Sequence, residues 1–302
     1  MSILVVGSVA FDSVETPFGR VEEVLGGSAT YFSTSASYFA GVSLVAVVGE
    51  DFPAEHVEGL KKRGIDLEGL KKVPGKTFRW KGRYDYDLNQ AHTLETNLNV
   101  FSSFDPVIPE RYRELPYVFL ANIDPELQLK VLEQVAKPRL VACDTMNFWI
   151  EGKPEALRKL LRRIEVFVIN EAEARELAGE SSLVKAARQI MKDGPRILII
   201  KRGEYGALMF SEKSIFSAPA YPLENIFDPT GAGDSFAGGL MGYIANTGNL
   251  GEDNIRRAII FGSVMASFNV EAFSLSRLSS LSLDEIRSRY AEFKRLTHFE
   301  DI

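Results

Sequence analysis

Short apolar runs separated by helix-length segments constrain this chain more than any other feature. The runs fall at residues 3–6, 43–48, 117–120, 140–143, 166–169 and 197–200, and segments of helical length at 28–40, 54–63, 126–136, 155–163 and 183–192 lie between most of them. Alternation of this kind is the signature of βαβ units, so the predicted class is α/β with a mostly parallel central sheet flanked by helices. Asp124, Pro125 and Glu126 supply a helix start, with Asp as N-cap and Pro in the first turn. The last third turns helical over 234–245, 253–269 and 282–294. Its apolar stretches, 236–245 and 258–270, are shorter than the roughly 18 residues a membrane span needs. They read as buried helices.

One region breaks the rhythm. From Thr77 to Asn89 the chain alternates with period two, placing Phe78, Trp80, Tyr84, Tyr86 and Leu88 on one face and Thr77, Arg79, Lys81, Arg83, Asp85 and Asp87 on the other. A weaker alternation follows at Leu94, Leu98 and Val100. The prediction is an antiparallel ribbon whose aromatic face covers something, as a hairpin on a sheet edge, a lid over a ligand or a clasp between subunits. The domain organisation expected is therefore one α/β domain over 1–302 with a small β lid inserted at about 12–22 and 74–101.

Charge and cysteine content remove several classes. Forty-one acidic against 35 basic residues leave a net charge of −6, without the basic excess usual in a nucleic-acid binder. Cys143 is the one cysteine, which excludes an internal disulfide framework and a multi-cysteine metal site. The short apolar run at 3–6 has no basic flank and is soon followed by Asp12, unlike a secretory leader. The expectation is a cytoplasmic protein with neither a nucleic-acid nor a membrane partner.

In open α/β sheets, ligands bind outside the carboxyl ends of the strands. Asp12, Asp51, Asp124, Asp144 and Asn170 follow successive predicted strands, and each is also a residue type that caps helices or forms turns. Together they predict a crevice for a polar small molecule. The most informative stretch is Asp228-Pro229-Thr230-Gly231-Ala232-Gly233-Asp234. Its glycines allow tight backbone geometry directly before a helix, where outward-facing amides and the positive helix end form an anion hole. A carboxylate beside a bound anion is costly unless it acts as a base or binds a cation, which singles out Asp234. Two familiar phosphate motifs are absent. Gly75-Lys76-Thr77 imitates the end of a Walker A loop, but Leu70 stands where its first Gly belongs. Gly7-Ser8-Val9 is not the dinucleotide fingerprint.

The chain resembles the ribokinase (PfkB-type carbohydrate kinase) family over nearly its whole length. The carriers are the Asp228–Phe236 segment, then Gly26-Gly27-Ser28 with Val48-Gly49-Glu50-Asp51, then Asn170-Glu171-Ala172-Glu173, and Lys201-Arg202-Gly203-Glu204-Tyr205-Gly206, in the family's order and spacing. The resemblance implies a ribokinase-like fold and ATP-dependent phosphorylation of a hydroxyl by in-line transfer. The acceptor expected is a small sugar or polyol, including a cyclic polyol or sugar acid. A nucleoside is the alternative, and a non-catalytic sugar-binding regulator is the reading from another class. By position, Asp234 would be the base, with the amides of Gly231, Ala232 and Gly233 stabilising the transferring phosphoryl group. Asp12, Gly26, Gly27, Ser28 and Tyr31 would face the acceptor. Lys201, Gly203, Gly206, Asp228, Gly262, Ser263 and Ala266 would border the nucleotide. Asn170 and Glu173 would position Mg²⁺ through water, although their spacing is also that of a capping box. A monovalent cation such as K⁺ is compatible with the family, as is either a monomer or a homodimer formed through the lid. Two positions depart from its pattern. Tyr31 stands where Asn is usual, and Lys201-Arg202 replaces the usual Thr or Ser before the Gly.

Overall fold

Every residue of the first strand after Ser2 is fully buried, and this places β1 (Ser2–Val6) in the interior of the sheet. Ile3 and Val5 join one apolar cluster, while Leu4 and Val6 join the cluster on the opposite face, as the period-two geometry of a strand requires. In the computed structural model, which describes residues 1–298, the further strands are β2 (Ala10–Thr16), β3 (Gly19–Gly26), β4 (Gly41–Gly49), β5 (Ile65–Val73), β6 (Phe78–Tyr84), β7 (Ala91–Asn97), β8 (Tyr117–Leu120), β9 (Leu140–Cys143), β10 (Val166–Asn170), β11 (Ile197–Lys201), β12 (Ala207–Ser211) and β13 (Ile215–Ala218). The helices are α1 (Ser28–Ala36), α2 (Ala54–Lys62), α3 (Pro125–Leu132), α4 (Asn147–Gly152), α5 (Pro154–Leu161), α6 (Glu171–Ala178), α7 (Leu183–Lys192), α8 (Ala232–Thr247), α9 (Glu252–Asn269), α10 (Ser276–Ser279) and α11 (Leu283–Leu296). Residues 299–302 of the expected domain lie outside the described residues.

The main sheet has nine strands in the order β13-β12-β11-β10-β9-β8-β1-β4-β5. Strands β5 through β11 in that order run parallel, and the β12–β13 hairpin closes one edge antiparallel. The chain leaves β1 toward β4 and β5, then returns to β8 on the other side of β1. That reversal is the switch point at which open α/β sheets bind ligands. Residues of α1, α2, α8 and α9 pack on one face of the sheet, and residues of α3, α5, α6 and α7 on the other. The six strands read from the sequence are all present to within two residues at each end. The helix expected over 28–40 is shorter, ending at Ala36.

A second sheet, ordered β3-β2-β6-β7, comes from 10–26 and 78–97. Its β2 and β6 are parallel neighbours, each flanked by its own antiparallel hairpin partner. The aromatic alternation expected through Leu88 stops early. Strand β6 ends at Tyr84, Tyr86 is 84% exposed in the following turn, and Leu88 has a positive φ of 54°. A register shift between Lys81 and Gly82 further breaks the pairing, where Trp80 lies across the space beside Gly82. Asp51, one of the strand-end carboxylates, anchors this sheet: it accepts hydrogen bonds from Thr77 N at 2.8 Å and Thr77 Oγ1 at 2.7 Å and pairs with Arg79 at 2.9 Å.

Helix α1 is held to the sheet by Phe32, whose ring stacks on Phe119 of β8 with centroids 4.3 Å apart, both side chains fully buried. Phe32→Ala is expected to cost about 3–5 kcal/mol in urea unfolding, from lost burial plus the cavity left behind.

Candidate active site

The loop before α8 is shaped by residues around it. Asp228 is buried and accepts from Thr230 N at 2.9 Å through one oxygen and from Ser274 N at 3.2 Å through the other. Asn269 at the end of α9 donates to Thr230 O at 2.8 Å and accepts from Ser235 Oγ at 3.0 Å. Gly231, the N-cap of α8, has φ +74°, and a side chain there would collide with the Tyr31 ring. The Ala232 N–H is spent on Pro229 O at 3.1 Å, and the Ser235 N–H on Gly231 O at 2.8 Å. The N–H groups of Gly231, Gly233 and Asp234 have no partner among the described residues. Among the described residues the free amides at the start of α8 are therefore those of Gly231, Gly233 and Asp234, while that of Ala232 is engaged.

Asp234 occupies the third position of α8 and is half-buried. Burial raises its pKa to about 6, against the attraction of Lys201. Asp12 is 5% exposed on β2, and burial raises it to about 7; Gly27 N–H opposes this, while Asp228 and Asp234 add to it. Its carboxylate fills the place where a Gly26 side chain would begin, and Gly27 N donates to it at 3.4 Å. Asp144, at the carboxyl end of β9, is 4% exposed, and its Oδ1 has no hydrogen-bond partner. Burial, Asp234 and Glu173 push it well above the usual carboxylate range, against Lys201. Four carboxyl groups from β2, β9, α6 and α8 therefore belong to one electrostatic unit.

Other residues expected at the site have these surroundings. Tyr31 is 1% exposed with its ring packed against Gly231, so no ring face is open to an acceptor; its hydroxyl is buried without a partner. Ser28 is engaged with Ser8, whose hydroxyl lies 3.1 Å from its own and accepts from Ser28 N at 3.0 Å. Asp228 organises the loop through its bonds from Thr230 and Ser274. Gly262 is consumed where α9 crosses α8, since a side chain there would meet Phe236 O. Ser263 is buried nearby and Ala266 packs against the core. Gly206 approaches Ala218 O in the turn before β12, while Gly203 is exposed with φ +53°. Asn170 and Glu173 form the capping box of α6, with Asn170 N donating to Glu173 Oε2 at 2.9 Å and Glu173 N to Asn170 Oδ1 at 2.8 Å. Asp124 caps α3 as expected and pairs with Lys153, which removes it from the crevice chemistry. Among the described residues no three His, Cys, Asp or Glu side chains cluster to hold a metal ion.

Residues that sequence reasoning missed come from the second sheet and the helix ends. Tyr84 of β6 accepts from Thr230 Oγ1 at 3.3 Å, and Thr16 of β2 donates to Phe227 O at 2.9 Å. Asn89, in the β6–β7 turn, reaches the space beside Gly203. Asp144 was legible only as one strand-end carboxylate among several.

A crevice of this kind, at the switch point of a doubly flanked sheet, with free helix-terminal amides beside a raised carboxylate, suits phosphoryl chemistry. The pfkB family carbohydrate kinase model matches residues 2–280. The chain is 34% identical over 249 residues to the cytidine kinase of Thermococcus kodakarensis, covering 80% of this chain and 88% of the relative. In fold it matches the nucleoside kinase of Methanocaldococcus jannaschii, an archaeal member of the ribokinase family, with a TM-score of 0.78 at 21% identity, covering 96% of this chain and 98% of the other. It also matches the aminoimidazole riboside kinase of Salmonella enterica, complexed with its riboside and an ATP analogue, with a TM-score of 0.72 at 18% identity over 96% and 100% of the two chains. The protein is a kinase, a phosphotransferase with an alcohol group as acceptor. It belongs to the pfkB family of carbohydrate kinases and has the ribokinase-like fold.

The raised carboxyl groups carry a stability consequence. Below pH 4 Asp12 is protonated in both folded and unfolded chains; between about 4 and 7 the folded chain keeps a proton that the unfolded chain releases. Stability from this group is complete at low pH and is lost as pH rises through about 7. Asp12→Asn is expected to melt several degrees above the parent at pH 8, with the difference shrinking toward pH 4, as read by calorimetry at both values.

Proposed function

We propose that the protein is an ATP-dependent nucleoside kinase. The acceptor hydroxyl gives its proton to Asp234; its oxygen forms a bond to the γ-phosphorus as the bond from phosphorus to the ADP oxygen breaks, and ADP leaves with that electron pair. The free amides of Gly231, Gly233 and Asp234 receive the charge that builds on the transferred group. Asp12 takes hydrogen bonds from the vicinal hydroxyls of the ribose, and the unpartnered Tyr31 hydroxyl lies within its field. The observation that carries a nucleoside over a free sugar or polyol is the identity to a cytidine kinase across most of both chains. An intact base beside a free anion hole speaks against a non-catalytic regulator.

Mg²⁺ suits the acidic side of the crevice on the chemistry of its donors. Asp144 Oδ1 is an orphaned buried oxygen, and the charge of Glu173 helps raise the Asp144 pKa, a setting that favours a cation. With Asn170 and Glu173 tied into a capping box and no three-ligand cluster among the described residues, these residues would hold the ion through water and nucleotide phosphate. Bound there, the ion would offset the negative charge of the phosphates.

The second sheet is read as a lid. The bonds from Thr16 to Phe227 and from Thr230 to Tyr84 join it to the anion-hole loop, and closure of this kind keeps water from the phosphoryl group.

ADP release across a panel of ribonucleosides, free ribose and inositol tests the reading. A ribonucleoside is expected to be the preferred acceptor; higher kcat/KM on ribose or inositol would return the acceptor to the sugar or polyol class. Asp234→Asn is expected to lower kcat by at least about 10²-fold with ATP binding retained. In the parent enzyme, activity is expected to fall as pH drops below about 6, where the base becomes protonated.

A further inference from the structure

The small sheet carries an aromatic ring that packing within the protein leaves half used. Residues paired across neighbouring strands share one face of a sheet, and Trp80 of β6 is paired with Asp12 of β2. That face turns to the crevice: Asp12 reaches Gly27, and Tyr84, on the same side of β6 as Trp80, meets Thr230. Arg79, on the opposite face, is tied to Asp51 at 2.9 Å. The other two aromatic residues of the crevice face are engaged. Phe78 stacks on Phe101 with centroids 5.3 Å apart, and Tyr84 is buried. Between them Trp80 is half-buried, with no aromatic or cationic neighbour among the described residues.

The indole is nonetheless held in place. A side chain at Gly82 would begin 2.1 Å from it, so the ring lies against the Gly82 backbone. Its Nε1 donates to Thr93 Oγ1 of β7 at 3.2 Å. One ring face is spent on the sheet and the single donor on Thr93, which leaves the second face.

We propose that Trp80 is a specificity residue whose free indole face stacks on the base of the acceptor nucleoside while Asp12 holds the ribose. This rests on the nucleoside reading above. With its donor engaged, Trp80 offers contact area and no hydrogen bond to a base edge. It therefore selects for a planar ring and not for one particular base, since every base has a π-face. Gly82 is part of the device, because any side chain there would lift the indole from the sheet.

Fluorescence and calorimetry test the assignment together. The chain has two tryptophans, and Trp149→Phe leaves Trp80 as the sole indole emitter. Titrated with cytidine or inosine, this protein is expected to lose emission saturably as the base stacks on the indole, with little change on adding ribose. Calorimetric affinities for both nucleosides are then compared among the parent, Trp80→Phe and Trp80→Ala, with matching melting temperatures as the check on folding. Alanine is expected to weaken both nucleosides about 5–150-fold, the scale of base–aromatic stacking, and phenylalanine to recover part of the loss. The emission titration stands whether or not the alanine variant folds. Unchanged emission, with nucleosides bound equally by the parent and the variants, would overturn the proposal and leave the nucleoside reading intact. Emission that follows protein concentration and not nucleoside would make Trp80 a clasp between subunits and overturn it likewise. A parent that phosphorylates ribose or inositol but binds neither nucleoside would defeat the nucleoside reading and the stacking role with it.

Discussion

Four carboxyl groups linked by their charges set the terms for everything else in this molecule. Asp12, Asp144, Glu173 and Asp234 arrive from four different elements, and burial raises the pKa of each. Concentrating such groups costs folding free energy that dispersed, solvated carboxylates would not. A fold tolerates that cost where the charges have a task and where the surroundings are rigid enough to hold them. The rigidity is visible: Asp228 and Asn269 fasten the loop before α8, Ser8 and Ser28 lock the start of α1, and the α8–α9 crossing closes over Gly262. The stabilising contacts lie around the crevice and the destabilising charges within it.

The same crowding explains why an acidic protein can handle a polyphosphate. With a net charge of −6, long-range attraction gives no help in bringing in an anion. In the proposed reaction local donors would do it: the three free backbone N–H groups at the start of α8. Amides are suited to this because they carry no net charge to be repelled by the neighbouring carboxylates, and their position is fixed by the helix. The Ala232 N–H closes the turn onto Pro229, leaving its neighbours' amides unpaired among the described residues. The helix start is therefore both a structural cap and a binding surface.

Much of the fold was legible because buried parallel strands leave a strong trace: runs such as Tyr117–Leu120 have no polar face to hide. Edge elements left a weaker one. Strand β5 carries Glu68, Lys71 and Lys72 among its apolar residues, and β12–β13 is too short and mixed to announce itself. By motif the sequence pointed to Asp12 and Asp234, whose pKa values burial raises. At Ser28, Asp228 and Gly262 the structure shows contacts within the protein that the motif does not announce. Local spacing does not say which way a side chain turns, and a Gly required for a helix crossing looks the same as one required for a ligand. Tyr31 shows the limit well. Its position matches a motif slot, yet its ring became the floor under Gly231 because a left-handed residue there leaves a flat space that an aromatic ring fills.

The contacts between the two sheets tie these points together. Thr16 and Tyr84 both bond the stretch 227–230, the segment whose conformation aims the anion-hole amides. Asn89 touches the turn at Gly203, two residues beyond Lys201. The small sheet thus meets the large one on either side of the phosphate-binding groups. A displacement of the small sheet cannot leave those groups unaffected, because the hydroxyl of Thr230 is shared between the lid strand and the loop. In a kinase, water must be kept out before the anion hole is brought to bear, or the nucleotide is hydrolysed. If the small sheet closes over the nucleotide as proposed above, the Thr230–Tyr84 hydrogen bond would couple that cover to the loop, so that water exclusion and the aim of the free amides would change together.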